Sequence, residues 1–403
     1  MKLLRLIHSL DPAAGGPVQG IHQVSPLLAA RGVITTAVSL DAPEAPWLKA
    51  AATSASGFTA RGLGPGRGTY GYRRGVAAEL QRLASQADAV VIHGLWQYHA
   101  FAGWRALRRL GRAAPPYWVY PHGMLDPWFR RTYPRKHLKK WLYWPWADYR
   151  VLRNAAGVCF TSEQERLLAR RSFWLYQAHE QVVPYGVQTP PGNDDPARMA
   201  QQCGAFIARF PTLAGRRLIL CLARLHEKKG LDLLLRAFAP LARQDPNLQL
   251  MLAGPASGSA GESLRLALAA GARQEGIAAQ VHLPGLLEGD LKWGALRCAE
   301  LFALPSHQEN FGIAVVEALA CDLPVLISDA VNIAGDVQAA AAGLVQPDTQ
   351  AATSEALARW MRLSPQQRQA MGAAAGRLFR ERYELDASVD RLLSLWSMTL
   401  SRP

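Results

Sequence analysis

Residues 218–232 read L-I-L-C-L-A-R-L-H-E-K-K-G-L-D. The first six are apolar without interruption, which suits a strand buried on both faces of a parallel sheet. Arg224 and Lys229 follow at once, then Gly230, then a helical pattern from Leu231. Strand, charged turn, glycine and helix together form the repeating unit of a doubly wound α/β domain. Such a turn also suits a diphosphate. Its charges are fixed, the helix N-terminus adds its dipole, and glycine lets the backbone approach closely. A basic turn with no ligand is the alternative reading.

The same alternation runs through the chain. Apolar strand candidates stand at 3–8, 33–40, 89–93, 117–121, 157–161 and 181–184, and again at 218–223, 248–253, 280–283, 301–305, 324–328 and 343–345. Helix-length patterns separate them, for example at 21–30, 231–242 and 354–363. At 403 residues the chain is long for one core and natural for two domains. Residues 184–196, P-Y-G-V-Q-T-P-P-G-N-D-D-P, are dense in Pro and Gly and divide it nearly in half. The expected organisation is a Rossmann-like domain at 1–183, a linker region at 184–212, a second Rossmann-like domain at 213–380, and an amphipathic helix at 381–403 packing back toward the first. Ligands of such sheets sit outside the strand C-termini, so a cleft between the domains is the expected binding place.

Composition narrows the function classes. Half the residues are apolar and 19% charged, so the chain is globular. No apolar run reaches the roughly 18–20 residues of a membrane span. Arg5, His8 and Asp11 interrupt the first apolar stretch, which reads as a strand rather than an export signal. The five cysteines are scattered and lack C-x-x-C spacing, which fits free thiols in a reducing cytoplasm. The net charge of +14 calls for an anionic partner. Residues 130–140, R-R-T-Y-P-R-K-H-L-K-K, hold six Lys or Arg and no acid, with Trp128, Phe129, Trp141, Trp144 and Trp146 around them. Arg130, Arg131, Lys136, Lys139, Lys140, Trp141 and Trp144 thus form a candidate contact with an anionic membrane surface. The alternative is a solvated face over core aromatics.

Near the C-terminal end stands S-H-Q-E-N-F-G-I-A-V-V-E-A-L-A, residues 306–320, with Glu309 and Glu317 eight apart. In one continuous helix, eight steps turn the second carboxylate by about 80° and advance it about 12 Å. Carboxyls so placed do not straddle one glycosidic bond, which needs roughly 5–10 Å with both groups facing it. They can grip two ends of an extended ligand. Asn310-Phe311-Gly312 places Glu309 in a loop and opens a helix at Ile313. Two solvated glutamates on a surface helix are the alternative.

Gly15-Gly16-Pro17 follows the first strand and leaves room for a phosphate or sugar. His93 and His122 each end an apolar strand, where a side chain can bond a sugar hydroxyl or move a proton. Gly66, Gly68 and Gly71 spell G-x-G-x-x-G, but a Gly/Pro-rich loop precedes them in place of the strand that a dinucleotide fingerprint requires. No D-x-D and no His/Asp/Glu cluster with metal spacing occurs.

The ordered set, G-G after the first strand, H-G after the fourth, R-x4-K-G opening the second half and E-N-F-G-x4-E, resembles the family-4 retaining glycosyltransferases with the GT-B fold. The match spans nearly the whole chain. P-H-G-M-L-D-P-W, residues 121–128, looks like the bacterial branch that builds exopolysaccharide, capsule or O-antigen. The resemblance implies that Arg224 and Lys229 hold the donor diphosphate and that Glu317 accepts from the ribose hydroxyls. It implies that Glu309, with the backbone of Asn310, Phe311 and Gly312, holds the donor sugar. Gly15-Gly16 would close over the phosphates or acceptor, and His122 would contact the sugar near its anomeric centre. Two departures stand out: Cys321-Asp322 where glycine often precedes L-P-V, and Tyr185 where Asn commonly precedes Gly. Neither falls among the residues assigned to chemistry. The expected activity is metal-independent, cofactor-free, retaining transfer from a nucleotide-sugar to a lipid-linked glycan, at the inner face of the cell membrane and without nucleic acid. Another GT-B activity, such as an epimerase or a sugar-phosphate synthase, and a basic nucleic-acid-binding protein are the rivals.

Overall fold

Two parallel sheets organise the chain. The computed structural model describes residues 1–51, 57–132 and 134–400, with the backbone alone at 50, 51 and 131. The chain divides into two compact units. One is Met1–Gly186 with Leu385–Pro403; the other is Val187–Glu384.

In the first unit the strands are β1 (Lys2–Leu6), β2 (Ile34–Ser39), β3 (Phe58–Gly62), β4 (Ala89–His93), β5 (Tyr117–Tyr120), β6 (Gly157–Phe160) and β7 (Glu180–Val182). They lie in the order β3-β2-β1-β4-β5-β6-β7, and every pair is parallel. In the second unit they are β8 (Arg217–Leu222), β9 (Leu248–Ala253), β10 (Val281–His282), β11 (Leu301–Leu304), β12 (Val325–Ser328) and β13 (Gly343–Gln346). Their order is β10-β9-β8-β11-β12-β13, again all parallel. Each expected strand has its counterpart. The unexpected one, β3, is an edge strand whose sequence F-T-A-R-G exposes alternate residues and so has no apolar run.

The leucines of β1 are buried on both faces of the sheet. Leu4 and Leu6 enter one core cluster with Val90, Ile92 and Trp104, and Leu3 enters another with Val91 and Trp118. Val389, Leu392 and Trp396 of the final helix, Leu385–Leu400, complete that second cluster, with the Trp118 and Trp396 rings 6.0 Å apart. In the second unit, helix Leu231–Gln244 buries Leu231, Leu234, Leu235 and Phe238. Full burial of each such side chain stabilises by about 1.5–3 kcal/mol.

The stretch 184–212 is more than a linker. Asp195 accepts from the Ala197 and Arg198 amides at 2.9 and 3.2 Å and caps helix Pro196–Arg209, with Pro196 at its first turn. The same D-P pair that reads as a breaker thus starts a helix, because proline has no amide to leave unpaired there.

Candidate active site

The charged turn after β8 folds as its sequence dictates. His226 caps a short helical turn, Glu227–Lys229, by accepting from the Lys228 amide at 3.2 Å. Gly230 then takes φ 62° and starts helix Leu231–Gln244. A Cβ there would stand 2.0 Å from the Pro305 carbonyl oxygen, so only glycine lets this turn lie against the segment leaving β11. The two segments are stitched together: the His307 amide donates to the Lys228 carbonyl at 2.8 Å, and the Lys229 ammonium pairs with the Glu309 carboxylate. Lys229 is buried while Arg224, two residues past β8, is exposed. Two motifs about eighty residues apart therefore form one place.

The loop-then-helix reading of residues 306–320 is what the structure shows. Glu309 lies in the loop, where its amide donates to Ala330 O at 3.1 Å and its carbonyl accepts from the Asn332 amide at 3.0 Å. Asn310 accepts from the Asn332 side chain at 3.2 Å, and Phe311 meets Tyr383 edge-on at 5.6 Å. Gly312, at φ 79°, caps helix Ile313–Ala320. Glu317 is on that helix, buried, and accepts from the Lys292 ammonium at 2.9 Å. Each glutamate thus has its own lysine and its own structural element. Lys292, on helix Gly289–Cys298, has no sequence motif and was not anticipated.

In the first unit, Gly15 at φ 96° caps helix Gly16–Ala30, and a Cβ on it would meet open space. Tyr185 reaches this segment, its hydroxyl donating to Gly16 O at 2.9 Å. The tyrosine that departs from the family pattern therefore does touch the glycine loop, by passing over Gly20, where a Cβ would collide with its hydroxyl.

His122 has φ 52°, and its ring stacks on His93 at 5.3 Å with Nε2 3.1 Å from His93 Nδ1. Burial pushes the His122 imidazole down to about 4 and His93 well below its ordinary range. Both are neutral at pH 7, so they can exchange hydrogen bonds but carry no charge. Glu165 fixes the turn beneath them: its carboxylate accepts from the Gly123 amide at 2.6 Å and from the Thr161 amide and hydroxyl, each at 2.7 Å. The S-x-x-E spacing at Ser162–Glu165 signals a helix start, but not this reach to Gly123. The G-x-G-x-x-G at Gly66–Gly71 forms no strand–helix turn; its ends meet in a bridge between Arg67 and Tyr72.

The basic aromatic segment forms helices Trp128–Thr132 and Pro134–Tyr143 and a short turn, Trp144–Trp146. Arg130, Lys136, Lys139 and Trp141 are exposed, beside Leu138, Leu142, Trp146 and Trp174. The Arg131 side chain lies outside the described residues. Two members of the expected membrane surface turn inward, Trp144 wholly and Lys140 in part. Trp144 is fully buried, donating to Trp174 O at 2.7 Å and stacking on Phe173 at 4.8 Å. Lys140 holds its ammonium 4.6 Å from the Trp96 ring, and burial lowers its pKa. Aromatic count alone does not say which rings face the core. The charge is unevenly divided: the first unit has 26 Lys and Arg against 12 Asp and Glu, and the second 19 against 19. The whole excess thus belongs to the first unit. There a depression of about 1020 Å³ at the strands' N-terminal ends is lined by Arg108, Arg150 and Arg153 and, among the described residues, by no carboxylate.

Among the described residues no group of three or more His, Cys, Asp or Glu is placed to hold a metal ion. No helix among them is long and apolar enough to cross a membrane.

Residues 206–377 match the family of glycosyl transferases group 1, and residues 15–186 match the glycosyl transferase 4-like domain. The D-inositol 3-phosphate glycosyltransferase of Segniliparus rotundus is 29% identical over 237 residues, covering 54% of this chain and 47% of that protein. The alpha-D-kanosaminyltransferase of Streptomyces kanamyceticus is 24% identical over 252 residues, covering 62% of each. The chain spans about half the length of the inositol phosphate enzymes it matches. Among solved structures, Anabaena HepE in complex with UDP superposes with a TM-score of 0.78 at 16% identity, over 99% of this chain and 100% of that one. The sucrose-phosphate synthase of Thermosynechococcus elongatus does so with 0.76 at 19% identity, over 99% of each. These likenesses show the fold, which is GT-B.

Proposed function

The chain belongs to the group 1 glycosyltransferases, and we propose that it performs metal-independent, retaining transfer of a sugar from a nucleotide-sugar to an acceptor hydroxyl. The observation that carries this reading is the pair of lysine-held glutamates, Glu309 in its loop and Glu317 on its helix. They serve as two handles on one donor. Glu317 accepts from the ribose hydroxyls. Glu309, with the backbone of Asn310, Phe311 and Gly312, holds the sugar. Arg224 and Lys229 take the diphosphate at the helix N-terminus that Gly230 opens. His122 gives a neutral imidazole to a sugar hydroxyl, and the Gly15-Gly16 turn, open where a Cβ on Gly15 would stand, receives a phosphate or acceptor at the start of its helix.

In a front-face reaction the bond from the anomeric carbon to the diphosphate breaks as the acceptor oxygen bonds to the same face. The acceptor's proton passes to the departing diphosphate oxygen. Charge then grows on the diphosphate, where the two cations stabilise it as a divalent ion does in other enzymes. No covalent nucleophile is required.

A lipid-linked glycan in surface polysaccharide synthesis is the proposed acceptor, held at an anionic membrane. The excess charge of the first unit and the exposed Leu138, Trp141, Leu142 and Trp146 support this. A second reading, a small phosphorylated cyclitol, is favoured by the inositol phosphate transferases among the relatives. A thermal-shift screen with UDP, GDP and ADP tests the donor site. One nucleotide should raise the melting point of the wild type, and raise that of Glu317→Ala less at the same concentration. No shift with any of them defeats the reading. Turnover of nucleotide-sugar without acceptor would point to an epimerase, and steep salt-dependent DNA or RNA binding to a nucleic-acid role.

A further inference from the structure

We infer that the first unit binds one small anion, a halide or a carboxylate, against Arg5 in the core between its sheet and its helices. Arg5 lies in β1, on the same face as Leu3, under the cluster that Trp118 and Trp396 fill. Its side chain is buried, with 4% of the residue exposed. Among the described residues no carboxylate pairs with it, and its Nε meets no acceptor. A buried guanidinium without a counter-charge is strongly disfavoured. Burial pushes this one down to about 10, which leaves it charged at pH 7.

Arg5 borders a small cavity of about 50 Å³, with Gly20, His93, Tyr120, Tyr185 and Trp396 in its wall. Two more nitrogens of that wall, Trp396 Nε1 and His93 Nε2, are buried and also without a hydrogen-bond partner. The tyrosines are raised by burial and stay neutral phenols, so they supply no negative charge. A guanidinium, an indole N–H and a ring nitrogen therefore border one space with no acid among them. That is the environment that recognises an anion. The cavity holds on the order of one chloride or one carboxylate group; a nucleotide or a sugar does not fit. Water could fill the space but would not neutralise Arg5. This inference does not rest on the glycosyl-transfer reading, and its test reads no turnover.

Thermal unfolding of the full chain, at constant ionic strength, should compare sodium chloride, sodium acetate and sodium gluconate, whose anion is too large for the cavity. The wild type should gain about 2–6 °C as chloride replaces gluconate, with saturation. Arg5→Met and Arg5→Gln, which remove the charge, should show no saturable gain. A response to chloride alone assigns the site to a free halide; a response to acetate as well extends it to a carboxylate on a bound ligand. Should both variants fail to fold, bromide-soaked crystals of the wild type decide, with an anomalous peak expected within hydrogen-bond distance of the Arg5 guanidinium. Equal responses in wild type and variants, or no bromide at Arg5, would overturn the inference.

Discussion

The Lys292 ammonium lies 2.9 Å from Glu317 Oε1, and Glu317 is buried while Lys292 is only partly so. A buried carboxylate aimed by a lysine on another helix is a pre-oriented acceptor. If it receives the ribose hydroxyls, Lys292→Met should weaken nucleotide binding about 3–10-fold by freeing that carboxylate. Titration calorimetry with the nucleotide found in the thermal screen measures it. An unchanged Kd would detach Lys292 from the donor site.

Arg224→Ala and Lys229→Ala should each lower kcat by about 10²-fold or more, since each removes a charge that the departing diphosphate needs. Lys229 also balances Glu309, so Lys229→Ala should cost stability as well, whereas exposed Arg224 should not. Near wild-type turnover in both variants would place the diphosphate elsewhere.

Acid should destabilise the first unit. The folded His99 and His122 imidazoles are pushed down to about 4 from 6.5, and His93 well below 6.5, all chiefly by burial. Between about pH 6.5 and 4 the unfolded chain therefore takes up protons that the folded one refuses. Stability then falls as pH falls through that window. Asp148, pushed up to about 7 by burial, acts in the opposite sense and offsets part of the loss. The melting point should drop from pH 6.5 to 4, and drop less in His99→Gln. A flat profile would mean that these rings are more hydrated than their burial implies.

Flotation with anionic liposomes at low salt should recover the wild type and lose Trp141→Ala combined with Lys139→Glu. Trp144→Ala should instead destabilise by about 3–5 kcal/mol, because that ring is fully buried. Absence of the wild type from the lipid fraction would remove the membrane from the account.

Local pattern carried the fold. The apolar runs placed the strands, and N-F-G at 310–312 placed a helix start at Ile313. The R-x4-K-G turn likewise stands where a glycine alone can pass the Pro305 carbonyl. What sequence did not show were distant pairings. Lys292 with Glu317, Glu165 with the Gly123 amide and Tyr185 with Gly16 O join segments that nothing local connects. Orientation was equally hidden. Trp141 and Trp144 are three residues apart, yet one is exposed and the other is wholly internal. A count of tryptophans carries no sign for that difference.

The central claim is that Glu309 and Glu317 hold different ends of one donor. It is tested most directly by measuring kcat and nucleotide Kd for Glu309→Ala and Glu317→Ala side by side. Glu309→Ala should lose turnover by about 10²-fold with nucleotide affinity little changed. Glu317→Ala should weaken nucleotide binding by about tenfold or more. Equal losses in both quantities for both variants, or the reverse assignment, would contradict it.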